Sequence, residues 1–357
     1  MTEEKLLENN IEDLPDDHST PFPENGKLSG GSRYIKNEDY FLMKKEPEIE
    51  NLGDFLVFGY YSIFFIFVFE LIILPMMANM NFMVYGGFTP TVDSCGENDF
   101  REIPSLACEI LDEVQKISNC TPQLSSQFYS VGQEFGYYCE SAHQVKNSIS
   151  IQMFGMLLGA VLFGQLSDLF GRRRIMLICY SGMAIFGYLA STSSDLIIFT
   201  LFQFGALFFT GGTSTIGNIL LMETIPKKHR VWISLVISFS PNYIIFAAIA
   251  YFAHDWRILL RVMSFINVLT FVFLWIAHES PRWLIQKGAL GKAKETYEKI
   301  ERWNGTASRE RQKVLEKLIQ KEVILLEQKK KSKKYYFHHL FYTWDMIKYN
   351  FVISFLL

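Results

Sequence analysis

Six stretches of this 357-residue chain have almost no charge, and each is about as long as a membrane-crossing helix. Asn147–Ser167, Ile175–Ser194, Leu196–Met222 and Val231–Ala253 contain no Asp, Glu, Lys or Arg. Phe55–Asn79 is interrupted only by Glu70, and Ile258–Ala277 only by Arg261, close enough to one end to snorkel to an interface. About 20 apolar residues cover a hydrocarbon core of ~30 Å. A buried core helix explains one such block, but not six in series. The expectation is an all-α polytopic membrane protein. The net charge of −3 carries little information, because the charges lie in segments that see different compartments.

The connections set an orientation. Short loops rich in Lys and Arg stay in the cytoplasm. GRRR (Gly171–Arg174) follows the second block, PKKHR (Pro226–Arg230) follows the fourth, and a long basic segment with KKKSKK (Lys329–Lys334) follows the sixth. STSSD (Ser191–Asp195) and HDWR (His254–Arg257) carry few cations. The amino terminus is therefore expected inside. Residues 1–51 are acidic, polar and Pro-containing, and read as a disordered cytoplasmic tail without a cleavable leader. Residues 52–79 form the first span and 147–278 form spans two to six.

Residues 80–146 then lie outside. Cys95, Cys108, Cys120 and Cys139 fall there, an even count that suggests two disulfides with three possible pairings. Asn119-Cys120-Thr121 is a glycosylation sequon in the same loop. Cys179, inside span three, is expected to be an inert buried thiol. Residues 279–346 place apolar residues at spacings of three and four among mixed charges, as expected of amphipathic helices under the membrane domain. KKKSKK can also attract anionic lipid. Residues 347–357, ending YNFVISFLL, open a seventh span too short to cross.

The turn between spans two and three reads GQLSDLFGRRR (Gly164–Arg174). Gly164 permits close helix approach, Asp168 ends one helix, Gly171 supports a reversal, and the arginines anchor the next helix. A positive-inside anchor explains the arginines but not Asp168. GQLSDLFGRR resembles the major facilitator superfamily motif G-x-L-[SA]-D-x-x-G-R-[RK] at every specified position. HESPRWLI (His278–Ile285) is similar to the PESPRWL motif of the organic cation, anion and carnitine transporter family, of which sugar porters carry a close variant. EFGYYC (Glu134–Cys139), METIPKKHR (Met222–Arg230) and AYFAHDWR (Ala250–Arg257) resemble further elements of the organic ion family, as does the long cysteine-bearing loop. The resemblance implies the six-helix amino-terminal half of a major facilitator fold, followed by the cytoplasmic helical segment and the start of a seventh span.

It also implies roles for particular residues. Gly164, Asp168, Gly171, Arg172, Arg173, Glu223, Arg230, Glu279 and Arg282 would form a charge cluster at the cytoplasmic ends of the spans. Charges of both signs there can pair and re-pair as helices rock, or can form a static collar that fixes packing. Glu70 lies inside span one, where an ionisable group is costly unless it faces a cavity or a partner. It could attract a cationic substrate, carry a proton, or pair within the bundle. Asn218, Asn242 and Tyr243 could line the same cavity, although polar residues at helical interfaces are more often packing contacts.

The expected function is transmembrane transport of a small organic ion by alternating access, whether cation, anion or a zwitterion such as carnitine. An alternative is a non-transporting truncated product that acts by assembly with a full-length relative or a second half-transporter chain. Sugar transport is disfavoured by the long cysteine loop. The expected partners are the substrate and membrane lipid, not nucleic acid, and the expected location is the plasma membrane. No metal-ligand cluster, nucleophile–base constellation or phosphate loop is visible in the sequence, so neither a cofactor nor enzymatic activity is expected.

Overall fold

The structure, a computed structural model, describes residues 55–101, 104–118, 120–236 and 239–331, together with Trp344 and Lys348. In chain order the helices are α1 (Tyr60–Gly86), α2 (Pro104–Ser118), α3 (Val131–Phe135), α4 (Ala142–Phe170), α5 (Arg172–Ala190), α6 (Leu196–Thr224), α7 (Arg230–Val236), α8 (Phe239–Ala253), α9 (Trp256–Ile276), α10 (Pro281–Gln286), α11 (Leu290–Asn304) and α12 (Arg309–Lys331). Helices α1, α4, α6 and α9 are each long and apolar enough to cross a membrane, α4 counted together with the short turn from Cys139 that precedes it. The described residues of the fifth apolar block are α7 and α8, on either side of residues 237–238, and α5 carries three arginines in its first turn. The expected seventh-span start, Tyr349–Leu357, and the acidic tail lie outside the described residues, as does Asn119.

The long helices alternate in direction. One end of the bundle, the turn end, carries Gly171 and α10 to α12. The other, the loop end, carries the segment between α1 and α4. The tightest packing joins α4 to α6. An added methyl at Gly159 would sit 1.7 Å from the Phe208 carbonyl oxygen, and one at Gly211 would sit 2.0 Å from that of Met156, so only glycine fits at either position. At Gly164 the same methyl would meet Thr215 at 3.5 Å, an ordinary contact. The close approach expected at Gly164 thus falls farther toward the loop end, where the two backbones touch.

Helix α1 is central and packs against α6, α8 and α9. Pro75 sits within it. Proline has no N–H, so the carbonyl four residues earlier, Leu71 O, loses its helical donor. In hydrocarbon no water can replace that donor, and a neighbouring side chain must. The buried Thr270 hydroxyl on α9 lies 2.8 Å from Leu71 O and 2.9 Å from its own helix's Ile266 O. Next to it, the fully buried Tyr180 hydroxyl on α5 donates to Ile72 O at 2.7 Å. Asn79 Nδ2 donates to Thr210 Oγ1 on α6 at 3.3 Å.

The loop-end segment combines α2 and α3 with short strands. A small sheet of β1 (Thr91–Cys95), β2 (Asn98–Asp99) and β3 (Pro122–Ser125), in the order β2-β1-β3, pairs antiparallel throughout. Disulfides join Cys95 to Cys120 and Cys108 to Cys139, which selects one of the three pairings. Cys179 is free and buried, as the sequence suggests. The segment's own core is small: Val92, Phe100, Ala107 and Leu111 around Cys95. With so little apolar area, the crosslinks supply stability that burial cannot.

At the turn end, α10 to α12 form an amphipathic layer tied to the start of α1. Asn304 Oδ1 accepts from the Tyr61 N–H at 2.9 Å, supplying the cap that Gly59 lacks. Arg311 donates to the Phe55 carbonyl at 2.8 Å and to buried Glu301 at 2.7 Å.

The Thr270→Val substitution removes the donor to Leu71 O while keeping shape, and should lower stability by about 1–3 kcal/mol. In a Pro75→Ala background Leu71 O regains a backbone donor, so the same change should be near neutral. Thermal unfolding of the four variants in lipid nanodiscs checks this. Equal losses in both backgrounds would show that the hydroxyl does not serve the proline's orphan carbonyl.

Candidate functional site

The turn between α4 and α5 is built around a glycine that no other residue replaces easily. Gly171 has φ 115° and ψ 145°, and a methyl there would meet Glu279 Oε2 at 2.6 Å. Its N–H closes on Ser167 O at 3.1 Å and ends α4. Arg172, Arg173 and Arg174 then form the first turn of α5 rather than a loop.

The three arginines diverge. Arg172 is 6% exposed and turns inward. Its Nη1 donates to Ser167 Oγ at 2.9 Å and to Asp168 Oδ1, while its Nε lies 3.6 Å from Glu223 Oε2 on α6. The two acids differ sharply: the Asp168 side chain is 66% exposed, that of Glu223 only 10%. At 3.6 Å the Glu223 contact is an ion pair without a hydrogen bond, and Arg172 Nε and Glu223 Oε2 are both buried without a hydrogen-bond partner among the described residues. A buried cation is thus held by one close exposed carboxylate and one looser buried one. Removing a partner from a buried pair typically costs 3–5 kcal/mol.

Arg173 serves a different helix. Its side chain donates to Leu274 O at 3.3 Å and to Trp275 O, capping the last carbonyls of α9, where a cation also favours the helix dipole. Its backbone N–H donates to Glu279 Oε1 at 3.0 Å. Ser280 caps α10 by accepting from the Trp283 N–H at 3.1 Å, with Pro281 at the first helical position. Trp283 Nε1 then donates to Asp168 O at 3.0 Å. The GQLSDLFGRR and ESPRWL segments therefore interlock around Gly171.

Of the candidate charge cluster, the structure brings together Asp168, Arg172 and Glu223 as one group, and Gly171, Arg173 and Glu279 as an adjoining one. Arg230 Nε donates to Ile225 O at 2.9 Å. Arg282 is exposed and makes no ion pair among the described residues. Beside the cluster, His278 is half-buried. Burial, helped by the nearby Lys299 and Arg173 cations, holds its imidazole below the usual histidine range.

In mid-bundle, Glu70 on α1 accepts from Asn242 Nδ2 on α8 at 2.9 Å. Asn242 is fully buried. Asn218 is exposed and its amide turns back to Ser214 O at 3.3 Å, while Tyr243 is 47% exposed. Two of the four cavity candidates therefore meet.

A second ion pair lies at the loop end. Arg257 makes two-nitrogen contact with Glu134, with distances of 2.7 and 2.9 Å, and donates to Ser191 O and Ser193 O. Trp256 Nε1 donates to the same carboxylate at 2.7 Å, and Arg257 lies over the Trp256 ring at 4.4 Å. This ties the cysteine-bearing segment to α5, α6 and α9. The signal was present in the sequence: EFGYYC places an acid near the end of the cysteine-bearing loop, and HDWR places an arginine in a connection at the same end of the bundle.

The comparisons agree with this architecture. The sugar (and other) transporter family model matches residues 106–357. The chain belongs to this family, and with it to the major facilitator superfamily. It is similar to the organic cation transporter-like protein of Drosophila melanogaster, 30% identical over 200 residues, covering 54% of this chain and 35% of that protein. It is also similar to organic cation/carnitine transporter 2 of Homo sapiens, 31% identical over 180 residues, covering 48% and 31%. Each match thus spans about a third of the relative's length. Among solved structures, the proton:xylose symporter XylE matches with a TM-score of 0.52 at 16% identity, covering 76% of this chain and 54% of that one. This likeness concerns the fold alone. The chain is a multi-pass integral membrane protein.

Gly171→Ala should destabilise the protein by on the order of 1–3 kcal/mol, because a side chain is strained at this φ and displaces Glu279. Gly164→Ala, where the added methyl has room, should lie within about 0.5 kcal/mol of the parent. Thermal unfolding in nanodiscs distinguishes the two positions, and equal effects would contradict this account of the turn.

Proposed function

We propose that the protein takes part in transmembrane transport of a small organic ion bearing a positive centre, a cation or a zwitterion such as carnitine, by alternating access. The observation that carries this reading is the unequal sharing of buried Arg172 between Asp168 and Glu223. A rocking transporter needs an element with two arrangements of similar energy. Here the exposed Asp168 can leave Arg172 for another partner while Glu223 keeps the buried cation neutralised. The interlocked Gly171–Glu279–Trp283 unit would move with it as one body.

The choice of a positive substrate rests on Glu70. Its carboxylate lies within an apolar helix, where an ionisable group is retained for a partner or a function. Asn242 donates to one of its oxygens. A positive centre is the complement such a group would hold, and the names of the curated relatives, organic cation and organic cation/carnitine transporters, point the same way. In this reading the turn end is cytoplasmic, the disulfide-bearing segment with Asn119 is extracellular, and the protein resides in the plasma membrane.

Uptake by cells expressing the chain tests the proposal. Saturable uptake of tetraethylammonium or carnitine is expected, with little uptake of an aromatic monocarboxylate. Asp168→Asn should reduce it at least ~10-fold with unchanged surface amount, since each tenfold corresponds to about 1.4 kcal/mol. Glu70→Gln should raise KM for the cation more than it lowers kcat. A surface-localised chain that takes up none of these probes would sink the reading.

A further inference from the structure

A cavity of about 540 Å³ opens at the turn end between the start of α5, the end of α9 and the layer of α10 and α11. Five cations line it, Arg173, Arg174, Lys287, Lys292 and Lys299, against two carboxylates, Glu279 and Glu295. Arg173 is committed to the α9 carbonyls, and Lys299 pairs with Glu295 at 2.8 Å. Arg174, Lys287 and Lys292 make no ion pair among the described residues. The N–H groups of Lys287, Gly288 and Ala289 close on α10 carbonyls, which leaves those of Leu290, Gly291 and Lys292 in the first turn of α11. Ala289 offers this turn no side-chain cap, and a side chain at Gly291 would meet nothing within 4 Å. The N–H groups of the first turn of α11 therefore lack a side-chain partner and stand beside two lysines. Beside the cavity, burial first and then the Lys299 and Arg173 cations hold the His278 imidazole below its usual range.

What lies beside the cavity is apolar. Ile276 lines it and continues a stripe on α9 through Val272, Val268 and Phe265, at spacings of three and four, each 46% to 71% exposed. This stripe runs along α9 away from the cationic cavity. An anion in the cavity and an apolar body along the stripe describe one class of molecule.

We propose that this cavity is a specific site for an anionic phospholipid, its phosphate-bearing headgroup held by Arg174, Lys287, Lys292 and the amino-terminal turn of α11, and its acyl chains lying along the exposed apolar stripe of α9. The proposal stands independently of the transport reading and requires only that the chain span a membrane. Anionic lipid recruited by surface charge alone would use the basic run from Lys329, and would require neither the cavity nor the α9 stripe. Occupancy would brace α10 and α11 against the ends of α5 and α9, beside the Gly171–Glu279 contact.

The test places the full chain in phosphatidylcholine nanodiscs containing a minor fraction of phosphatidylinositol 4-phosphate and reads co-purified lipid by native mass spectrometry. The parent should retain the phosphoinositide in preference to phosphatidylcholine. Combining Arg174→Gln, Lys287→Gln and Lys292→Gln should lower retention at least ~10-fold, at roughly one surface-cation contribution per residue. Neutralising Lys329, Lys330 and Lys331 to Gln should leave it nearly unchanged. Should the triple variant not fold, as judged by helical circular dichroism, Arg174→Gln and Lys292→Gln separately should each lower retention severalfold. Inositol 1,4-bisphosphate, which carries the headgroup without chains, should compete only at far higher concentration. Undiminished retention in the cavity variants, loss on neutralising the Lys329 run instead, or equally tight binding of the soluble headgroup would each overturn the proposal.

Discussion

In a hydrocarbon slab every polar group must find its partner within the protein, and the organisation of this bundle follows from that constraint. The apolar faces only place helices in the membrane, because lipid is as good a neighbour for leucine as another helix is. What fixes one helix against another here is a short set of polar contacts. Thr270 meets the carbonyl that Pro75 orphans, Tyr180 reaches Ile72 O, and Glu70 meets Asn242. Between these, Gly159 and Gly211 let α4 and α6 touch backbone to backbone.

The two ends of the bundle treat charge differently. At the loop end, Glu134 and Arg257 form a close, multiply hydrogen-bonded pair stacked on Trp256, and Arg257 also collects two carbonyls of the α5–α6 connection. That geometry is saturated and suits a fixed clamp, which the adjoining disulfides reinforce. At the turn end, Arg172 is divided between a close exposed acid and a distant buried one. That geometry is unsaturated, and it carries the proposal that this end changes partners while the other holds.

Much of the fold was legible because hydropathy is a coarse and strong signal. The blocks from Asn147, Leu196 and Ile258 reappear as α4, α6 and α9. In the fifth block the described residues are helical, as α7 and α8. The GQLSDLFGRR motif announced a tight turn but not which arginine did what. Nothing in three consecutive arginines says that one enters the bundle, one caps α9 and one faces a cavity. That division follows from the 100° turn per residue of α5 combined with where α6 and α9 happen to lie. The closest α4–α6 approach lies at Gly159, outside the motif, rather than at Gly164, because the two helices converge toward the loop end. The Cys95–Cys120 and Cys108–Cys139 pairing was illegible in principle, since spacing alone leaves three choices.

The central claim is that Arg172 is energetically shared between Asp168 and Glu223. It is tested most directly by two double-mutant cycles, Arg172→Met with Asp168→Asn and Arg172→Met with Glu223→Gln, read by unfolding in lipid nanodiscs. The account predicts coupling in both cycles, each within about 0.5–3 kcal/mol. Strict additivity of Arg172→Met and Glu223→Gln would contradict it, leaving Asp168 as the only acid that matters and the turn end with a single arrangement.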